Sequence, residues 1–185
     1  MSVTTVHESP ERRLLIAAGV GAAVALSLGI YGSVHDPASD LSITLGFADT
    51  ITMKVWLTTI AVLFALVQIF SALWMYGRLP FESRPSWLAN AHRISGRIAF
   101  LFTLPVAYHC LWALGFKDTG TRQVVHGLLG CAFYGAFTTK MLLLRVDRLP
   151  RFTLPIAGGL LVSLLTGLWF TSSWWFFTNV GFPGL

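Results

Sequence analysis

Five apolar stretches, each long enough to cross a lipid bilayer as a helix, constrain this chain more than any other feature. A membrane-spanning helix needs about twenty consecutive apolar residues. Such stretches cover approximately residues 14–34, 53–76, 94–116, 124–144 and 152–177. Because backbone polar groups inside a bilayer must be satisfied within the protein, the pattern predicts an all-α integral membrane protein. We expect a single transmembrane domain of five helices that takes up all 185 residues.

The composition agrees with a membrane protein and argues against other classes. Hydrophobic residues make up 55% of the chain and charged residues only 11%, whereas a soluble domain carries about a quarter charged residues. The net charge of +5 does not indicate nucleic-acid binding, because the basic residues lie between the apolar stretches. The sequence contains no phosphate-binding loop, nucleotide fingerprint or zinc motif.

The distribution of Lys and Arg predicts the orientation in the membrane. Basic residues are enriched in cytoplasmic loops, and residues 1–12 are expected to form a cytoplasmic tail. Ten basic residues then lie on the inner side: Arg12, Arg13, Arg78, Arg84, Arg93, Arg97, Lys140, Arg145, Arg148 and Arg151. Three lie on the outer side: Lys54, Lys117 and Arg122. We therefore expect a multi-pass protein of the cell (plasma) membrane with its N-terminus cytoplasmic and its C-terminus outside.

Three histidines are the strongest indication of chemistry. His92, His109 and His126 follow one another at intervals of seventeen residues, and the last two lie inside apolar stretches. An ionisable side chain is costly there and usually functional, and imidazole is the commonest protein ligand of haem iron. At about 1.5 Å rise per residue, His109 lies about 10 Å and His126 about 8 Å below the outer turn. The shared depth predicts an outer pair of ligands and leaves His92 alone on the inner side.

Small residues accompany two of these histidines. Gly96 follows His92 and Gly130 follows His126, each at i+4 on the same helix face. Glycine there leaves room for a flat macrocycle beside the imidazole, although close helix packing explains Gly130 equally well.

Three arginines, Arg93, Arg97 and Arg122, are expected mainly to set the orientation of the helices in the membrane. They are also placed to pair with the carboxylates of a haem, because guanidinium groups bind carboxylates in a bidentate manner.

Residues 89–137 contain three short histidine motifs: Asn90-Ala91-His92-Arg93, Val106-Ala107-Tyr108-His109 and Val125-His126-Gly127-Leu128-Leu129-Gly130. The segment resembles the middle of the cytochrome b561 superfamily. This resemblance implies that His92 ligates an inner haem, that His126 ligates an outer haem, and that His109 belongs to an outer substrate surface. Family members take the partner ligands from the preceding and following helices, and here the second and fifth apolar stretches contain no histidine.

We therefore predict one haem b near the outer face, with His126 as the firmest iron ligand and His109 as its partner. His92, Met53 and His35 are the alternative ligands. The string His92-Arg93-Ile94-Ser95-Gly96 also resembles a segment of the cytochrome b anchor subunits of succinate dehydrogenase, which implies a quinone nearby.

The predicted function is that of a membrane b-type cytochrome, an electron carrier or oxidoreductase without catalytic side chains of its own. It would pass electrons between a quinol or small reductant and a partner. Its expected partners are the lipid bilayer, a redox protein or quinone, and further copies of the chain. A haem-free anchor or assembly subunit of a redox complex is the alternative. A small transporter is disfavoured, because no Asp or Glu lies inside an apolar stretch to couple protons.

Overall fold

The computed structural model of the protein describes residues 9–38, 43–116 and 119–184. Within these ranges the chain is helical and has no β-strand, which confirms the predicted all-α class. Two of the five long helices end in π-helical turns. The elements are α1 (Pro10–Val34), α2 (Thr50–Met75), α3 (Leu88–Tyr108) with the first π segment (His109–Leu114), α4 (Thr121–Leu143), α5 (Thr153–Trp169) with the second π segment (Phe170–Trp174), and α6 (Trp175–Asn179).

Local sequence signals explain where several helices begin and end. Ser9 caps α1 through the backbone N–H of Arg12, and Pro10 occupies the first turn, where its missing N–H costs nothing. Residues 10–12 of the predicted tail therefore continue the helix, while residues 1–8 lie outside the described ranges. Pro80 and Pro85 lie between α2 and α3, where they prevent one continuous helix.

The helices run alternately up and down, but their order in space differs from their order in the chain. Among the described residues, α4 packs between α1 and α5, while α2 packs between α5 and α3. The contact of α1 with α4 is close because Gly21 and Gly135 face each other; a Cβ on Gly135 would lie 2.6 Å from the carbonyl oxygen of Gly21. Small residues of this kind allow helix backbones to approach in a membrane.

Large side chains, rather than close backbones, connect α3 and α4. The rings of Phe100 and Phe137 stack with centroids 3.8 Å apart, and Phe100 meets Tyr134 edge to face at 5.9 Å. Five buried residues from α2, α4 and α5 form a core cluster against which this aromatic layer packs: Ala61, Ala65, Phe133, Leu161 and Leu165. The layer divides the bundle into two halves, one with His126 and one with His92, which we call the outer and the inner half after the orientation predicted from the basic residues.

Four of the long helices have the length and apolarity to cross a membrane: Pro10–Val34, Thr50–Met75, Leu88–Leu114 and Thr153–Asn179. Their outward faces carry large exposed aliphatic side chains such as Leu26, Leu63 and Leu101. We therefore treat the chain as a multi-pass membrane protein. The remaining long helix, α4, is less apolar and packs between two others, so less of its surface is open to lipid.

Candidate functional site

An internal cavity lies in the outer half of the bundle, where α3 and α4 are held apart. It contains about 610 Å³ of empty space, open mouth included, of which about 80 Å³ can take the centre of a water-sized sphere. The space is therefore a narrow slot. Its wall is mainly apolar and comes from five helices: Leu28, Thr58, Thr103, Val106, Ala107, Cys110, Leu111, Phe116, His126, Gly127, Gly130, Cys131, Phe133, Tyr134, Leu165 and Leu168.

The imidazole of His126 lies on the cavity wall and is held by α5. Its Nδ1 is 2.8 Å from the hydroxyl of Thr171, which itself donates to the carbonyl of Gly167 at 2.8 Å. Because that donation uses the only hydroxyl proton, we assign the proton between ring and hydroxyl to His126 Nδ1. Nε2 then carries the lone pair and has no hydrogen-bond partner among the described residues. Metal-binding histidines are commonly oriented in this way.

The second π segment fixes the position of Thr171. A π turn disturbs the regular hydrogen-bond ladder of a helix, and the carbonyl of Thr171 accepts a hydrogen bond from Arg122 Nη1 at 2.8 Å. The guanidinium of Arg122 also lies 4.0 Å above the ring of Trp175. Arg122 thus connects α4 to the second π segment and to α6, and its pairing with haem carboxylates stays a prediction.

The first π segment forms part of the opposite wall and is fastened to the α1–α2 loop. The carbonyl of Trp112 accepts from the Nε2 of His35 at 3.1 Å and from the backbone N–H of Ala38 at 3.2 Å. His35 also stacks on Tyr31 with ring centroids 4.8 Å apart. His35 is therefore occupied by structural contacts and does not line the cavity, which weighs against its role as an alternative ligand.

His109, the predicted partner ligand, begins the first π segment and points elsewhere. It is only 7% exposed and is not among the residues that line the cavity, whereas the next residue, Cys110, is. Its Nδ1 is buried without a hydrogen-bond partner in the described part of the chain. The fully buried Met53 also does not line the cavity.

A polar pair forms the inner end of the cavity. The hydroxyl of Tyr134 donates to the backbone carbonyl and hydroxyl oxygen of Thr103, each at 3.0 Å. Gly130 lies at the same wall, and a Cβ built on it would meet only Leu168 at 3.9 Å. The predicted open space beside Gly130 is therefore present.

His92 lies in a separate network between α2 and α3 in the inner half. Its Nδ1 is 2.8 Å from the hydroxyl of Ser71, which donates to the carbonyl of Val67 at 2.6 Å. Because this donation uses the only hydroxyl proton of Ser71, the proton between ring and hydroxyl belongs to His92 Nδ1. Nε2 is then left without a hydrogen-bond partner among the described residues. The amide of Gln68 completes the network, donating to the carbonyl of His92 and to Ser95 Oγ at 2.7 Å.

The small residue beside His92 does not create the predicted open face. A Cβ on Gly96 would lie 2.9 Å from Oε1 of Gln68, so the space beside Gly96 is filled by that amide. Arg93 and Arg97 are exposed on the outside of α3. The inner network is thus a packed contact between α2 and α3.

Sequence reasoning missed the groups that position the histidines. Thr171 and Ser71 belong to other helices, 45 and 21 residues away from the imidazoles that they hold. The run Thr171-Ser172-Ser173 in an otherwise apolar helix is the available signal, since hydroxyls in such helices often bond across to a neighbour. The amino-acid sequence contains no comparable signal that would predict the two π segments.

The fold and the cavity define a class: a helical, multi-pass membrane protein with an internal slot lined by one oriented histidine. The chain belongs to DUF6529, a family of unknown function, whose family model matches residues 14–184. No curated protein matches the chain, and no solved structure matches it.

Proposed function

We propose that this protein is a b-type membrane cytochrome whose outer cavity holds one haem, with His126 as an axial ligand. The observation that carries the proposal is the orientation of His126. Its Nδ1–H is engaged by Thr171, so Nε2 is the nitrogen available to a metal, and the ring lies on the wall of an internal cavity. Hydrogen bonds of this kind fix the tautomer and direction of metal-binding histidines.

The cavity wall is compatible with a flat, apolar group. It is lined mainly by aliphatic and aromatic side chains, and Ala107, Gly127 and Gly130 keep it open near His126. The enclosed part of the slot, about 80 Å³, is smaller than the roughly 300–1,000 Å³ of typical small-molecule sites, so α3 and α4 must move apart for a haem to enter. A bound haem b would supply one-electron redox chemistry, while the protein would supply a ligand and a low-dielectric surrounding.

The second axial ligand stays a prediction. His109 is at the outer level and has an unpaired, buried Nδ1, which supports it, but a rotation of its side chain or segment is needed for it to face the slot. Cys110 already lines the slot, so its thiol is the alternative on the same turn.

The proposal includes the orientation of the protein in the membrane and the route by which electrons reach the haem. We place the N-terminus in the cytoplasm, five helices across the plasma membrane, and the cavity near the outer face. His92 and its hydroxyl and amide neighbours would then face the inner side, where a quinol could deliver electrons. The positive charge of the inner loops supports this orientation.

Visible spectra test the proposal directly. The protein purified in detergent should show a reduced-minus-oxidised α-band, and His126→Ala should abolish it. Thr171→Val should weaken retention of the haem by about 10- to 100-fold, because His126 loses its orienting acceptor. Ser172→Ala is the matched control, since that hydroxyl bonds only to the Leu168 carbonyl. A parent protein without an α-band, after growth with ample haem, would refute the proposal.

One observation favours a second candidate, a haem-free anchor subunit of a redox complex. Both His92 and His126 form hydrogen bonds that link two helices, α2 with α3 and α4 with α5. Interhelical bonds of this type stabilise membrane bundles. Under this alternative, His126→Ala lowers the unfolding temperature of a colourless protein, and the parent co-purifies with other redox subunits.

A further inference from the structure

A groove opens between α1 and α4 at the inner end of the bundle, far from the cavity. The two helices are closest where Gly21 meets Gly135 and where Thr139 donates to the carbonyl of Ala17 at 3.3 Å. Beyond this point they separate. The resulting groove contains about 450 Å³ of empty space, its open side included, and is lined by Arg13, Ile16, Ala17, Leu142 and Val146.

The chemistry of the groove combines apolar walls with one cation at its end. Four of the five lining residues are apolar, and the fifth is Arg13. In the described ranges, the guanidinium of Arg13 forms no ion pair or side-chain hydrogen bond. A ligand that fills the groove must therefore bring an apolar tail and offer a negative group to Arg13.

We infer that the groove binds an anionic phospholipid, with its phosphate at Arg13 and the first part of one acyl chain between Ile16 and Leu142. Guanidinium groups bind phosphate through two parallel hydrogen bonds. From Arg13 to Ala17 the groove is about 6 Å long, so only the beginning of the acyl chain is enclosed. The rest would lie along the exposed face of α1.

The charge around the groove favours an anionic over a zwitterionic headgroup. Two segments meet there, the start of α1 and the turn after α4. Together they carry four arginines and two carboxylates: Arg12, Arg13, Arg145, Arg148, Glu11 and Asp147. Each arginine near an anionic lipid surface strengthens binding by about fivefold. The groove thus supplies the contact with the tail, and the surrounding cations supply the preference for the headgroup.

Native mass spectrometry of the detergent-solubilised protein, titrated with phosphatidylglycerol or phosphatidylcholine, tests this inference. We expect one phosphatidylglycerol to bind more tightly than phosphatidylcholine by about fivefold or more. Arg13→Gln should remove most of that preference, whereas Arg78→Gln, at the same end of the bundle, should keep it. Ile16→Trp should block lipid binding by filling the groove, whereas Leu15→Trp, at an exposed neighbouring position, should not.

Several outcomes overturn the inference. Equal losses in Arg13→Gln and Arg78→Gln indicate a diffuse electrostatic effect without a site. Competition by inorganic phosphate alone indicates an anion site that does not use the groove. A change from dimer to monomer in Ile16→Trp, with lipid binding intact, indicates that a second copy of the chain covers this face.

Discussion

Asp49 begins α2 with a carboxylate that satisfies several otherwise unpaired groups. One oxygen accepts from the backbone N–H of Ile51 at 2.7 Å and of Thr52 at 2.8 Å, and the other accepts from the Thr52 hydroxyl at 2.8 Å. The hydrogen bond from the Thr52 backbone, followed by that from its side chain, lowers the pKa of Asp49 below its ordinary value of 3.8. Folding thus favours the charged form of the Asp49 carboxyl.

We predict that Asp49→Ala lowers the free energy of unfolding by about 1 kcal/mol at neutral pH, the usual cost of losing a helix N-cap. Because the folded pKa is depressed, the contribution of Asp49 is complete only above about pH 5. It is lost as the pH falls through the folded value. Thermal unfolding in detergent between pH 7 and pH 3 should therefore show the gap between parent and variant closing toward acid pH.

Two further variants make the test of Asp49 specific. Asp49→Asn keeps a good capping residue, so it should stay near parental stability at neutral pH and lose the acid dependence that the carboxylate causes. Glu82→Gln removes a carboxylate from an exposed loop and should leave the profile unchanged. A gap between parent and Asp49→Ala that stays constant down to pH 3 would contradict the argument.

At the scale of single residues, the sequence indicated the depth of the candidate side chains better than the direction in which they point. His126 could be singled out because an imidazole is costly in an apolar helix. Its partner Thr171 could not, since the contact depends on how α4 and α5 are rotated against each other. His109 shows the same limit: its depth was predictable, but the direction of its side chain depends on the packing of α3.

At the scale of helices, α1 contains a matched pair of glycines with opposite surroundings. A Cβ on Gly21 would lie 2.5 Å from the carbonyl oxygen of Gly135, whereas a Cβ on Gly19 would meet nothing within 4 Å. We predict that Gly21→Ala destabilises the protein by about 1–3 kcal/mol, because two backbones must separate. Gly19→Ala should be neutral or stabilising by up to about 1 kcal/mol, because alanine favours the helix.

Resistance to unfolding by a denaturing detergent, measured by circular dichroism, checks both glycine variants. The double variant Gly21→Ala with Gly135→Ala should be no better than either single variant, since each adds bulk to the same contact. Equal stability of Gly19→Ala and Gly21→Ala would show that α1 and α4 do not pack through Gly21.

Helix positions could be predicted because the required apolar length follows directly from bilayer thickness. The observed ends differ from the predicted ones by a few residues, as for α1, which begins at Pro10 rather than at residue 14. The π segments could not be predicted. They arise where carbonyls such as those of Trp112 and Thr171 find donors in other elements, and such pairing depends on the complete fold.

At the scale of the whole molecule, α3 and α4 pack differently from what their short connection suggests. Consecutive helices joined by a short turn are expected to pack side by side. Here α4 instead packs closely on α1, through Gly21 and Gly135, and meets α3 mainly through Phe100, Phe137 and Tyr134. This displacement leaves the cavity between α3 and α4, which hydropathy alone does not reveal.

Whether α4 spans the bilayer determines on which side of the membrane each following segment lies. It is the long helix with the weakest apolar character, and its two ends carry Arg122 and Lys140. Its antiparallel packing along α1 and α5 means that it should nevertheless span the bilayer with them. We predict that Thr119→Cys, before α4, lies outside the cell and that Asp147→Cys, after α4, lies inside.

A membrane-impermeant maleimide applied to intact cells distinguishes these positions. It should label Thr119→Cys at once and Asp147→Cys only after lysis, with Ser83→Cys behaving like Asp147→Cys. The native Cys110 and Cys131 lie within helices, so the parent chain provides the background. Labelling of Thr119→Cys and Asp147→Cys from the same side would show that α4 does not cross. Reversed labelling would place the N-terminus outside, and the His126 cavity would then face the cytoplasm, where a soluble reductant could reach it.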